Sequence, residues 1–239
     1  MPKLIIYFLL ASMVLTGCSG QPRKASAASS KSKDILHKLI PDEFAEVSKL
    51  NGIDHKEAVS ALLDAQEAAI GMKKISIAYL LAVLGQDYED NRNAVATAIS
   101  GCGTESNSDN CEVITSYGTD LFNRGDKTLL KPLLEAGIGS DGTLAETLGD
   151  FYSNVLWKDP QTFLQSLSEF PKEQQAELSM LAGAADGSGM GDDMSRDVRQ
   201  NLSQIAGQKN NDLALVAKTC LDGVNKGDKL AKSNATTDK

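Results

Sequence analysis

The sequence predicts an all-α protein, and three observations carry that prediction. Apolar residues recur at helical spacing in one segment after another. Gly, Asp and Asn fall between those segments, where helices start and stop. No stretch alternates apolar and polar residues long enough to make a half-buried strand. The predicted arrangement is antiparallel helix pairs stacked as an α-solenoid-like array, with a compact helical bundle as the alternative.

The elements follow in order. DHKEAVSALLDAQEAAIG places Asp54 as N-cap with Glu57 three residues on, Val59, Leu62, Leu63 and Ile70 at helical spacing, and Gly71 as the stop. ISIAYLLAVLG is apolar nearly all round, which predicts the most buried helix. NRNAVATAIS spans 91–100 and ends at Gly101. CEVITSYGTDLFNRGD runs as helix to Arg124, with Gly125 as stop and Asp126 as the next cap. DKTLLKPLLEAG is helical, with a kink or a late start imposed by Pro132. The segment 142–159 carries a wide apolar stripe of Leu144, Leu148, Phe151, Tyr152, Val155 and Leu156. Asp159 caps the next segment, with Pro160 at the first helical position. Helices over 171–184, 193–206 and 211–224 complete the body.

Parts of this body resemble one another. TLLKPLLEA from Thr128 and TFLQSLSEF from Thr162 align at an offset of 34 with four identities in nine. LGQDY at Leu84 and LGDFY at Leu148 resemble the L-G-x-x-Y portion of a tetratricopeptide first helix. The resemblance to tetratricopeptide and HEAT-like repeats implies stacked helix pairs that present grooves or concave faces to protein partners.

The first residues concern address rather than fold. Lys3 precedes an apolar run from Leu4 to Leu15, the charged and hydrophobic regions of a secretory leader. It is too short to cross a bilayer core of about 30 Å comfortably. The run ends Leu15-Thr16-Gly17-Cys18, which resembles the lipobox of bacterial lipoproteins at all four positions. That resemblance implies cleavage before Cys18, acylation of its sulfur and amino group, and a membrane anchor made of more than one chain. Ser19 stands where an aspartate would signal inner-membrane retention, which points to the outer membrane. Residues 18–33 form a lipidated cysteine and polar tether with Arg23, Lys24, Lys31 and Lys33 and no acid.

Net charge is −8 overall, and −9 once the leader with its one lysine is gone. An acidic chain of this kind is a poor match for nucleic acid, whose phosphates need clustered Lys and Arg. Export permits disulfides, and Cys102 and Cys111 flank the turn-forming GTESNSDN, which predicts a bridge between them. Cys220, on a predicted helix, reads as a small buried hydrophobe.

Chemistry-bearing motifs are few. GSGMG at 187–191 follows a helix rather than a strand and reads as an interhelix linker, not a phosphate loop. DGSGMGDDMSRD gives a weak calcium candidate in Asp186, Ser188, Asp192 and Asp197. Met190 stands where a side-chain oxygen is needed, and an Asp closes the loop in place of the longer Glu. Arg124-Gly125-Asp126 matches a cell-adhesion tripeptide and also what a helix stop followed by a helix cap produces. His37 and His55 have no metal-ligand spacing around them, and the many acids single out no catalytic pair.

The expected organisation is a leader at 1–17, a lipidated tether at 18–33, an all-helical domain at 34–226 and a polar disordered tail at 227–239. The expected function is that of a non-catalytic helical scaffold or protein-interaction module, anchored in the cell envelope and facing the periplasm. The lipid bilayer, through acylated Cys18, and an unidentified protein are the expected partners; no cofactor, metal or nucleic acid is expected. An envelope hydrolase and a periplasmic inhibitor or immunity protein are the alternatives.

Overall fold

The computed structural model describes residues 30–102 and 110–237. Cys18 and its lipobox, residues 18–29 of the tether, and the segment 103–109 lie outside the described residues. Within them the chain is helical throughout, with no strand. The helices are α1 Ser30–Leu39, α2 His55–Gln66, α3 Gly71–Val83, α4 Tyr88–Cys102, α5 Cys111–Asn123, α6 Leu130–Gly137, α7 Gly142–Lys158, α8 Pro160–Leu167, α9 Lys172–Ala184, α10 Asp192–Ala206 and α11 Ala214–Thr237. Short 3-10 turns occupy Pro41–Glu43, Val47–Gly52 and Lys127–Leu129.

Local chemistry explains most of the boundaries. Asp54 accepts hydrogen bonds from the amides of Lys56 and Glu57 at 3.0 and 3.2 Å and so starts α2. Asp126 and Asp159 do the same for the segments beginning at Lys127 and Pro160. Pro132 lies in the first turn of α6, and the chain enters that helix through a 3-10 turn, the late start that a missing N–H imposes. α2 ends at Gln66 rather than at Gly71. Gly71 instead opens α3 at φ 57°, and Ile70, placed at helical spacing by the sequence, is 82% exposed.

Packing is sequential. The principal contacts join helices no more than three apart in chain order, which is the near-one-dimensional connectivity of stacked helical arrays. Odd-numbered helices from α3 to α11 contact one another in turn, and even-numbered helices from α4 to α10 do likewise, giving two layers. Polar contacts between neighbours in a layer repeat at similar separations. Tyr79 donates to Asp120 at 2.7 Å, Ser100 to Glu135 at 2.5 Å, and Lys131 to Glu169 at 2.6 Å, over 41, 35 and 38 residues.

Three sequence expectations are corrected. The two LG-x-x-Y segments are not equivalent, because Leu84–Tyr88 spans the turn from α3 into α4 whereas Leu148–Tyr152 lies inside α7. α1 has no counterpart among the expected helices; Lys31 pairs with Glu57, so α1 and α2 begin at the same end and residues 40–54 carry the chain back. The tether and tail are both shorter than expected. Residues 30–33 belong to α1, and α11 continues through Thr237 instead of stopping near 226.

What holds the extended α11 is a close crossing with α9. A Cβ on Gly227 would stand 2.0 Å from the Met180 carbonyl oxygen and 2.9 Å from the Ala184 nitrogen. One on Gly223 would meet Ser179 Cβ at 2.6 Å, and one on Gly183 would meet the Val224 carbonyl oxygen at 2.2 Å. Contacts advance along both helices together, so α9 and α11 run parallel, as members of one layer separated by the intervening α10. Asp228, next to the crossing and 4% exposed, receives Arg199 of α10 at 2.6 Å and Lys232 at 3.1 Å. A buried carboxylate needs such partners.

Candidate functional site

The N-terminal segment is tied to the array by a fully accounted hydroxyl network. The Ser76 hydroxyl donates to the Glu43 carbonyl at 2.7 Å, so at the 3.0 Å contact between Ser76 and Tyr117 the tyrosine is the donor. Tyr117 accepts in turn from the Ala45 amide at 2.6 Å and stacks on Tyr79, ring centroids 4.1 Å apart. Tyr79 donates to Asp120, which also pairs with Arg124 at 2.6 Å. Burial first, then the Asp120 hydrogen bond, raises the Tyr79 pKa, keeping this phenol neutral at physiological pH. The cluster is structural: Ser76 and Tyr117 are buried, and their hydrogen bonds are spent holding the chain.

Arg124-Gly125-Asp126 is occupied internally in the same way. Arg124 pairs with Asp120, Gly125 turns at φ 118°, and Asp126 caps Lys127–Leu129 while accepting from Tyr88 at 2.7 Å and facing Arg92 at 3.4 Å. Burial opposes ionisation of Asp126, but hydrogen bonds from Thr128 and Tyr88 and the charge of Arg92 hold its pKa below the usual carboxylate value.

The residues of the calcium candidate do not converge. Asp186 accepts from the backbone and hydroxyl of Ser188 at 3.1 and 2.6 Å, in a turn of its own. Asp192 faces Lys232 at 3.7 Å, and Asp197 accepts from the Trp157 indole at 3.4 Å and lies 3.6 Å from Arg196. Met190 is buried. No cluster of three metal-ligating side chains occurs among the described residues. The glycine loop has a packing reason instead: Gly189 turns at φ 86°, and a Cβ there would come within 2.8 Å of Asp228 Oδ1.

Cys102 and Cys111 end α4 and begin α5 and face each other with Cα atoms 5.6 Å apart, a separation that a disulfide spans. Cys220 is fully buried. Burial pushes its thiol up to about 12, against a hydrogen bond with Ser179, so almost none of the nucleophilic thiolate is present at neutral pH. His37 and His55 are both exposed on the first two helices.

The concave features lie elsewhere, and no motif in the chain marks them. Three grooves open between odd-numbered helices: one at the ends of α3 and α5, a second of about 360 Å³ between α5 and α7, and a third of about 530 Å³ between α9 and α11; a further concavity of about 590 Å³ lies between Gln165 of α8 and the segment 208–213. The second has an aromatic floor, where Phe122 and Phe151 meet edge to face at 5.2 Å and Lys127 lies 3.9 Å above the Phe122 ring. The third combines Met180 and the 70% exposed Leu215 with Lys172, Lys218 and Lys226. Helical periodicity identifies which face of each helix is apolar, but which two helices flank a groove depends on the stacking order.

The chain matches no known protein family, no curated protein and no solved structure. No helix among the described residues is long and apolar enough to cross a membrane.

Proposed function

We propose that this protein is a lipid-anchored envelope protein whose helical array holds a protein partner close to a membrane, most simply the outer membrane on its periplasmic side. The observation that carries the reading is the set of three separate grooves between odd-numbered helices. A two-layer array exposes the same kind of inter-helix cleft again and again, and extended surfaces of this type suit protein chains better than small substrates. The Leu15-Thr16-Gly17-Cys18 lipobox supports the anchor. Eleven residues separate Cys18 from α1, so the chain can carry the array no further than roughly 40 Å from the anchor.

Two experiments test the two halves. Replacing Cys18 by Ala should move the protein from the membrane fraction to the soluble fraction; retention in the membrane fraction refutes the anchor. Proximity crosslinking with mass spectrometry on the wild-type protein in its own cells should return one dominant protein partner. Recovery of no partner above background refutes the interaction reading.

A further inference from the structure

We propose that residues 42–47 are an internal stand-in for a partner: they lie as a strap over a polypeptide-binding face between α3 and α5, and an extended segment of a partner chain takes their place. This rests on the interaction reading above and deepens it by naming a site and the form of its occupant.

The strap lies on that face as an extended ligand does. Phe44 has extended backbone at φ −101° and ψ 142°, and its two neighbours make main-chain hydrogen bonds to the face. The Glu43 carbonyl accepts from the Ser76 hydroxyl at 2.7 Å, and the Ala45 amide donates to the Tyr117 oxygen at 2.6 Å. Side chains alternate in register with these bonds. Ala45 and Val47 are half-buried against the core, whereas Phe44 and Glu46 are exposed. Recognition is therefore carried by a carbonyl, an amide and two small apolar side chains. Every polypeptide has the first two, so the face reads an extended chain with small apolar residues at alternate positions rather than this one sequence. The occupant needs no charge, because Ser76 and Tyr117 meet it with hydroxyls.

The strap is held less firmly than the face beneath it. Asp42 and Glu43 both have positive φ, 48° and 74°, a conformation that is unfavourable for a residue with a Cβ and persists only where the surroundings impose it. No residue from 41 to 57 is buried, whereas Ser76, Tyr79 and Tyr117 are at most 4% exposed. Strained backbone with few buried contacts marks a segment that opens before the rest of a fold. Opening uncovers the two hydroxyls beside the stacked rings of Tyr79 and Tyr117, a floor on which another extended chain can lie. Only the open fraction binds, so the strap weakens the apparent affinity for a partner by that fraction.

The test uses the full-length protein in detergent micelles and a fluorescein-labelled peptide of residues 41–47, PDEFAEV, blocked at both ends. Fluorescence anisotropy reads binding. Ala45→Pro removes the amide donor of the strap and leaves the receiving face untouched, so the peptide should bind about tenfold tighter than to wild type. Methylating the alanine nitrogen of the peptide should weaken it at least about tenfold, and adding Tyr117→Phe to Ala45→Pro should cancel the gain. Equal affinity for wild type and Ala45→Pro, equal binding of the methylated peptide, a gain that survives Tyr117→Phe, or no binding to Ala45→Pro tighter than about 1 mM overturns the proposal. Where Ala45→Pro does not fold by circular dichroism, hydrogen exchange of the wild-type protein decides. The Ala45 amide should exchange through a local opening that low urea does not accelerate, well ahead of the amides of Leu80 and Leu81 in the fully buried part of α3; equal protection at all three overturns the proposal. In cells, recovery of the crosslinked partner should rise with Ala45→Pro. A partner recovered equally with wild type and Ala45→Pro overturns the proposal while leaving the interaction reading intact. Peptide binding that follows every expectation without any crosslinked partner does the reverse.

Discussion

Gly227→Ala sets two well-measured effects against each other. Gly227 lies inside α11, and on helix propensity alone the substitution stabilises by about 1 kcal/mol. The structure predicts the opposite sign. The new methyl would stand 2.0 Å from the carbonyl oxygen of Met180 and 2.9 Å from the Ala184 nitrogen, both backbone atoms of α9 that no rotamer change can move. The helices must separate, and overpacking of this kind costs roughly 1–3 kcal/mol, with a backbone collision at the upper end. Subtracting the propensity gain leaves a net loss of about 2 kcal/mol, equivalent to a fall in melting temperature of roughly 4–8 °C for a domain of this size. Thermal and urea denaturation followed by circular dichroism measure it, with Gly101→Ala as the control. Gly101 is also helical and its added methyl would meet nothing within 4 Å, so that variant should be neutral or slightly stabilised. If Gly227→Ala is as stable as wild type, the close crossing is not formed and the polar end of the chain behaves as the frayed tail its composition suggests.

Four further outcomes are expected. Tyr117→Phe leaves the Ala45 amide without its acceptor and should cost about 1–3 kcal/mol, with faster hydrogen exchange at Ala45; unchanged protection there argues against the network. Burial and the Asp126 hydrogen bond push the Tyr88 pKa up to about 12, above its unfolded value of about 10. Its contribution to stability is therefore complete below about pH 10 and lost as pH climbs toward 12, a slope that Tyr88→Phe should flatten in alkaline melts. Asp126 has the reverse sign: its lowered pKa contributes stability above the ordinary carboxylate range that is lost as pH falls through the folded-state value. Asp126→Asn should remove that part of the acid sensitivity. Finally, intact-mass analysis should find Cys102 and Cys111 bridged, and reduction should cost about 2–3 kcal/mol, as expected for a loop of roughly ten residues. A free-thiol count showing both cysteines reduced in protein isolated from its own cells without reductant refutes the bridge.

The parts of the fold written in local chemistry were legible in the sequence. Asp54, Asp126 and Asp159 read as caps because an N-cap is a property of four consecutive residues, and the ISIAYLLAVLG helix read as buried because it has no polar face. The α11 extension was missed for the opposite reason. GVNKGDKLAK has few large apolar residues and two glycines, which read as a chain losing structure. Those glycines in fact let two backbones approach, and the approach exists only once α9 is alongside. Ile70 was misplaced because spacing alone cannot distinguish the last turn of one helix from the cap of the next. The groove between α5 and α7 was invisible as a unit, since Phe122 and Phe151 lie on different helices and meet only once those helices stack.

The short reach of the contacts has a consequence for the order in which the chain completes itself. With principal contacts extending no further than three helices along the chain, each part of the core can close as soon as the next few helices emerge, without waiting for the carboxyl end. Folding can then keep pace with the emergence of the chain, proceeding from α1 toward α11. The glycine crossing of α9 with α11 comes last in that order. It closes the array only once α11 is present, so a chain cut short before α11 would leave the far face of α9 bare and open to proteolysis.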